Sequence, residues 1–136
     1  MNNFTKEYIE LCKNERIQKL HPVWEIGDRV IWNNNIREIT VVDELFNPTP
    51  KDLELYRWLP TGDQLDEEIV KICRKRDYAY EIWFIEDKWD VALYENQYGK
   101  EAVGEIFNKP FIDFNPLITK IKLLIQLLES EKWVNL

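Results

Sequence analysis

Trp58-Leu59-Pro60-Thr61-Gly62-Asp63-Gln64-Leu65 carries an aromatic, extended segment into a helix, and the rest of the chain is organised around that junction. Pro60 pushes Leu59 towards extended backbone and has no place in a helix interior. Thr61 supplies the hydroxyl of an N-cap, and Gln64 stands at capping-box spacing from it. Pro60 and Leu65 sit where a hydrophobic staple would form across that cap. Asp63, Asp66, Glu67 and Glu68 lie in the first turns, with Lys71, Arg74, Lys75 and Arg76 at the far end, the arrangement a helix dipole favours. Leu65, Ile69, Ile72 and Cys73 fall on one stripe, so the spacing predicts a helix over 62–75. Gly62 in its first turn costs about 1 kcal/mol that capping must offset.

The chain of 136 residues fits one domain spanning 1–136, long enough to bury a core. Six Trp, six Tyr and six Phe argue against disorder. A formal charge of −7 makes direct nucleic-acid binding an unfavoured function, because phosphate recognition draws on a Lys/Arg patch. It suits solubility first, and a basic protein partner second. Cys12 and Cys73 have no CxxC neighbour and read as buried free thiols of a reducing compartment. The N-terminus lacks the basic-then-apolar plan of a signal peptide, and the longest apolar run is interrupted by Lys. The expectation is a cytoplasmic protein without membrane contact.

Thr5 reads as the N-cap of a first helix, with Phe4 and Ile9 placed to staple it. Tyr8, Ile9, Cys12, Ile17 and Leu20 give that helix an apolar side with a break near Asn14, and His21-Pro22 ends it. Glu25-Ile26-Gly27-Asp28 is a turn. Residues 29–32 and 36–43 read as two strands joined through Asn33-Asn34-Asn35, since Asn tolerates positive φ. Thr49-Pro50 with Asp52 starts either a short helix through Tyr56 or an irregular excursion. Residues 78–85 alternate as a strand with both faces at least partly covered, Glu86-Asp87-Lys88 turns, and 89–94 return. Residues 96–100 read as a polar loop, 101–107 as helix or strand, and 109–114 as an extended connector. Asn115 caps and Pro116 opens a last helix to about residue 130. Its stripe of Leu117, Ile121, Leu124 and Leu128 is widened by Ile118, Leu123, Ile125 and Leu127, which places it centrally in the core or against another subunit. The fold class is α+β: an antiparallel sheet of two hairpins packed with N-terminal, central and C-terminal helices.

The run Thr5-Lys6-Glu7-Tyr8-Ile9-Glu10-Leu11-Cys12-Lys13-Asn14-Glu15-Arg16-Ile17-Gln18 resembles the opening of small uncharacterised phage and prophage proteins of Gram-positive bacteria. Gly27-Asp28-Arg29-Val30 and the Trp58-Leu59-Pro60 to Gln64-Leu65 segment continue the likeness, with an apolar helix near Trp closing it. The match is weakest over 44–56 and 101–114. The resemblance implies an origin in a mobile genetic element and brings no catalytic residues with it.

His21 is the single histidine, so a Ser-His-Asp or Cys-His site would have to use it, yet its place beside Pro22 suits a packing or capping residue better. Asp66, Glu67 and Glu68 point several ways round a helix, and Glu86-Asp87-Lys88 reads as a turn rather than a ligand set. No GxxxxGK[ST] or GxGxxG occurs among four glycines, so no catalytic, metal or cofactor site is assigned. Trp83, Trp89 and Tyr94 on the second hairpin form the candidate interaction surface, as six Trp are hard to bury in a small domain. The function expected is a non-enzymatic protein-interaction or self-associating module. Its alternatives are a small enzyme or ligand-binding protein with a carboxylate-lined cleft and, ranked low, an acidic DNA mimic.

Overall fold

A computed structural model describes residues 4–76, 78–95, 100–101 and 113–129, with the backbone alone at 76, 94, 95, 100 and 101. The chain divides into two compact units, one ending at Thr61 and one beginning at Gly62. It is an α+β fold, but its two hairpins belong to separate three-stranded antiparallel sheets rather than to one.

In the first unit, Thr5 is extended and its Oγ1 accepts the Tyr8 N–H at 3.2 Å, opening α1 (Lys6–Cys12). Phe4 is buried and its ring stacks on Tyr8, with centroids 5.6 Å apart. Asn14 breaks the helix where its side chain competes for backbone donors, accepting the Arg16 N–H to cap α2 (Glu15–Lys19). Gly27 takes φ +99°, a region that favours glycine, as the chain turns into β1 (Arg29–Trp32). Asn33 and Asn34 turn the hairpin with φ of +50° and +55°. The returning strand begins later than its composition suggests. Asn35 accepts the Arg37 N–H and holds Ile36–Glu38 in a 3₁₀ turn, leaving Ile39–Val41 as β2. Thr49 caps α3 (Pro50–Leu53), which stops short of Tyr56 because the Leu55 carbonyl accepts Asn33 N–H and the chain enters β3 (Tyr56–Trp58).

The sheet order is β2-β1-β3. Its core brings Val30, Ile31, Trp58 and Leu59 together with the buried helix residues Tyr8, Ile9 and Ile17. Gln18 ties helix to strand: its Nε2 donates to the carbonyls of Cys12 (2.7 Å) and Trp58 (3.0 Å), and its Oε1 accepts the Trp58 N–H (2.8 Å). The Tyr8 hydroxyl donates to the Pro60 carbonyl at 2.6 Å.

The second unit opens with α4 (Gly62–Arg76), which starts directly after Thr61 as the junction chemistry predicts. Leu65, Ile69 and Cys73 are buried at i, i+4, i+8 spacing. β4 (Tyr78–Ile85) and β5 (Lys88–Glu95) pair through a two-residue loop, with Glu86 and Asp87 at φ +52° and +64°, so Lys88 belongs to the strand and pairs with Ile85. Coverage of β4 is confined to its beginning. Tyr78, Ala79, Tyr80 and Ile82 are half-buried, whereas Trp83, Phe84 and Ile85 at the tip are exposed. β6 (Lys100–Glu101) completes this sheet. The loop over 96–99, nearly all of 101–107, the connector up to Ile112 and the chain after Glu129 lie outside the described residues.

Asn115 Oδ1 accepts the Leu117 N–H and Pro116 opens α5 (Pro116–Glu129). Leu117, Ile118, Ile121, Leu123, Leu124 and Leu127 are all buried within the chain, packed on α4 and β5, which accounts for the wide stripe. Asp66 sits where three elements meet: its carboxylate accepts the Tyr80 hydroxyl at 3.0 Å and the Lys120 ammonium at 3.0 Å.

Four acidic protons among the described residues, on buried or half-buried side chains, bear on stability at high pH. Burial pushes the Cys12 thiol up to about 12 and the Cys73 thiol up to about 11. Burial raises Tyr8, helped by Cys12, and raises Tyr80, helped by the Asp66 carboxylate. The folded chain therefore holds these protons more tightly than the unfolded chain, whose thiols lose them near 9.0. Their contribution is complete below that pH and is lost as pH rises through the folded values. Urea midpoints should be insensitive to these groups between pH 7 and 8 and fall steadily above pH 9. An unchanged midpoint at pH 11 would contradict the burial of the thiols.

Candidate interaction surface

The three aromatics singled out on the second hairpin do not form one face. Residues opposite one another in an antiparallel ladder share a face, and Phe84 pairs with Trp89 while Trp83 pairs with Asp90. Trp89 packs against Phe84 with centroids 4.8 Å apart, and its backbone is bridged to Asp113 in both directions. Trp83 lies on the other face, 37% exposed, with its indole N–H donated to Glu81. Tyr94 pairs with Ala79 in the ladder, and its side chain is outside the described residues.

A second group of aromatics lies in the first unit. Trp24, Phe46 and Tyr56 meet edge to face, with centroid separations of 6.1, 6.1 and 5.1 Å. Each comes from a different part of the sequence. Trp24 follows the helix-ending His21-Pro22, Phe46 ends a turn in which Asp43 accepts the Leu45 N–H, and Tyr56 opens β3. Trp24 and Phe46 line a groove of about 630 Å³ with Val23, Ile26, Val42 and Leu53. Val23 is 76% exposed, Ile26 70% and Leu53 48%, a contiguous apolar group of the kind monomeric surfaces usually avoid. Among the described residues, the charged groups lining it are Asp43 and Glu44.

Trp24 and Pro22 also line a second cavity of about 560 Å³ with a different character. Lys13, Lys19 and Arg57 stand in its wall against one carboxylate, Glu15. His21 lines it too, with Nε2 2.5 Å from Asp28 Oδ2 and its ring 4.7 Å from the Trp58 centroid. Asp28 is buried and also accepts the Glu25 N–H, so it anchors the imidazole and the turn together. His21 is thus a packed, hydrogen-bonded wall residue, in keeping with its place at a helix end.

The acids of α4 disperse. Asp66 is engaged by Tyr80 and Lys120, Glu68 by Lys71, and Glu67 faces solvent. Among the described residues no group of three His, Cys, Asp or Glu side chains could hold a metal ion, and no helix is long and apolar enough to cross a membrane. Cys12 and Cys73 are buried and unpaired by disulfide, and their raised pKa values leave little thiolate at neutral pH. The groove was readable in one respect: Val23, Ile26 and Phe46 are apolar residues in turn-like segments, with no helix or strand period to bury them. Comparisons with protein-family models, curated proteins and solved structures find nothing that matches this chain.

Proposed function

We propose that this chain is a non-enzymatic protein-interaction module, an accessory protein of the phage or prophage kind that its sequence resembles, acting in the cytoplasm. Its docking surface is the groove beside Trp24 and Phe46, and its occupant is a short segment of another protein with an apolar anchor and neighbouring Lys or Arg. The observation that carries this reading is the pairing of exposed apolar side chains with the acidic residues Asp43 and Glu44 in one groove. Apolar contact supplies the affinity, and the two carboxylates select cationic flanks and speed encounter.

Selecting a displayed library of random short peptides on the full chain tests it. Enriched peptides should share an aromatic or aliphatic anchor beside basic residues. Val23→Asp, at an exposed position, should weaken them about tenfold or more, the loss expected when one buried aliphatic contact is replaced by a charge. Sedimentation of the free chain provides the opposing outcome. If Val23→Asp converts a dimer to a monomer while no peptide is enriched, the groove serves self-association and the proposal is wrong.

A further inference from the structure

Pro22 and Trp24 are a common wall between two cavities of opposite charge, which gives this face a direction. On the groove side the charged groups are Asp43 and Glu44, and on the cleft side Lys13, Lys19 and Arg57 outnumber Glu15. That concentration of cations stands out in a chain whose formal charge is −7.

The cleft's donors are also placed to receive a carboxylate. Arg57 directs Nη1 at the carbonyls of Glu54 (2.6 Å) and Tyr56 (2.9 Å), which fixes the guanidinium while its Nε and Nη2 make no hydrogen bond among the described residues. A guanidinium held this way suits two-point recognition of a carboxylate. Lys19 Nζ has no partner among the described residues, and Lys13 is engaged only by the exposed Glu10 at 2.8 Å. Each cavity lies within the usual size of a ligand site, roughly 300–1,000 Å³, and the two share Pro22 and Trp24 in their lining. A ligand that reaches both must be long enough to pass over Trp24.

We infer that the cleft is a second subsite of the same docking surface and receives Asp or Glu residues of the partner segment. The partner then carries an apolar anchor with cations on one side and carboxylates on the other, and it binds in a single direction. This rests on the docking function proposed above, and the two fail differently.

The probe is an enriched peptide from the selection, compared with a version whose acidic residues are alanine and with one whose charge order is reversed. The alanine and reversed versions should each bind roughly fivefold more weakly in low salt, a difference that shrinks as salt screens exposed charges. Lys19→Glu, at an exposed position, should abolish the preference for the acidic peptide over its alanine version. Arg57→Gln should act in the same direction. Equal affinity for the acidic and alanine versions overturns the cleft assignment while leaving the docking proposal intact. Competition by free acetate as effective as by the peptide also overturns it, since the cleft would then be a general anion site. Insensitivity of every peptide to Val23→Asp instead removes the docking proposal beneath it.

Discussion

Replacing Trp58 with alanine is expected to destabilise the first unit by about 3–5 kcal/mol, the range for truncating a buried Trp. Trp58 is 1% exposed, its ring lies against His21, and it occupies the centre of the small β2-β1-β3 sheet's core. A milder substitution separates volume from polarity. Trp58 Nε1 is buried without a hydrogen-bond partner among the described residues, a deficit of about 1–3 kcal/mol that phenylalanine would not carry. Trp58→Phe should therefore cost less than about 1.5 kcal/mol, the lost packing being offset by removal of the orphan donor. Hydrogen exchange of peptides within residues 4–60 reads both outcomes for this unit. A loss for Trp58→Phe as large as for Trp58→Ala would mean that the indole N–H is satisfied.

Gln18→Leu should be the second most damaging change, at about 2–4 kcal/mol, despite conserving size and adding apolar surface. The carboxamide satisfies three backbone groups, Trp58 N–H, Trp58 C=O and Cys12 C=O, and leucine leaves them all without that partner. Gln18→Glu sharpens the argument. It keeps an acceptor for the Trp58 N–H but sets a carboxylate oxygen against two carbonyls. Its carboxyl pKa should rise in the folded state, so the variant's stability should recover as pH falls below about 5 and the group becomes a donor. Urea denaturation of the variant at pH 4 and pH 7 distinguishes this from a purely steric effect, which would be the same at both.

Local chemistry made much of the fold legible. Thr5, Thr49 and Asn115 each accept the backbone N–H that their position at a helix start predicts, and Asn33 and Asn34 in the turn take positive φ. What sequence could not supply was long-range pairing. Nothing local in either hairpin says that the two join different sheets, and Gln18 meets Trp58 across forty residues. The candidate surface turned on one residue of loop length. A three-residue turn over 86–88 would shift the register by one and place Trp83 and Trp89 on a common face. The observed two-residue loop pairs Trp89 with Phe84 and sends the two tryptophans to opposite faces. The Trp24, Phe46 and Tyr56 cluster was hidden for a related reason. Its members lie in segments without a period, where a hydrophobic pattern cannot show which side they face.

The Gln18 contact has a consequence beyond the stability of one molecule. β3 is one of the two outer strands of its sheet, and a bare outer strand is a template on which other chains can add. Gln18 answers the Trp58 N–H and C=O as a neighbouring strand's peptide group would, and the Arg57 guanidinium covers the Tyr56 carbonyl. Two side chains thus stand in for the missing strand and protect this edge against intermolecular growth. Removing the carboxamide should leave a chain that, even where it remains folded, gathers into β-rich aggregates as its concentration rises.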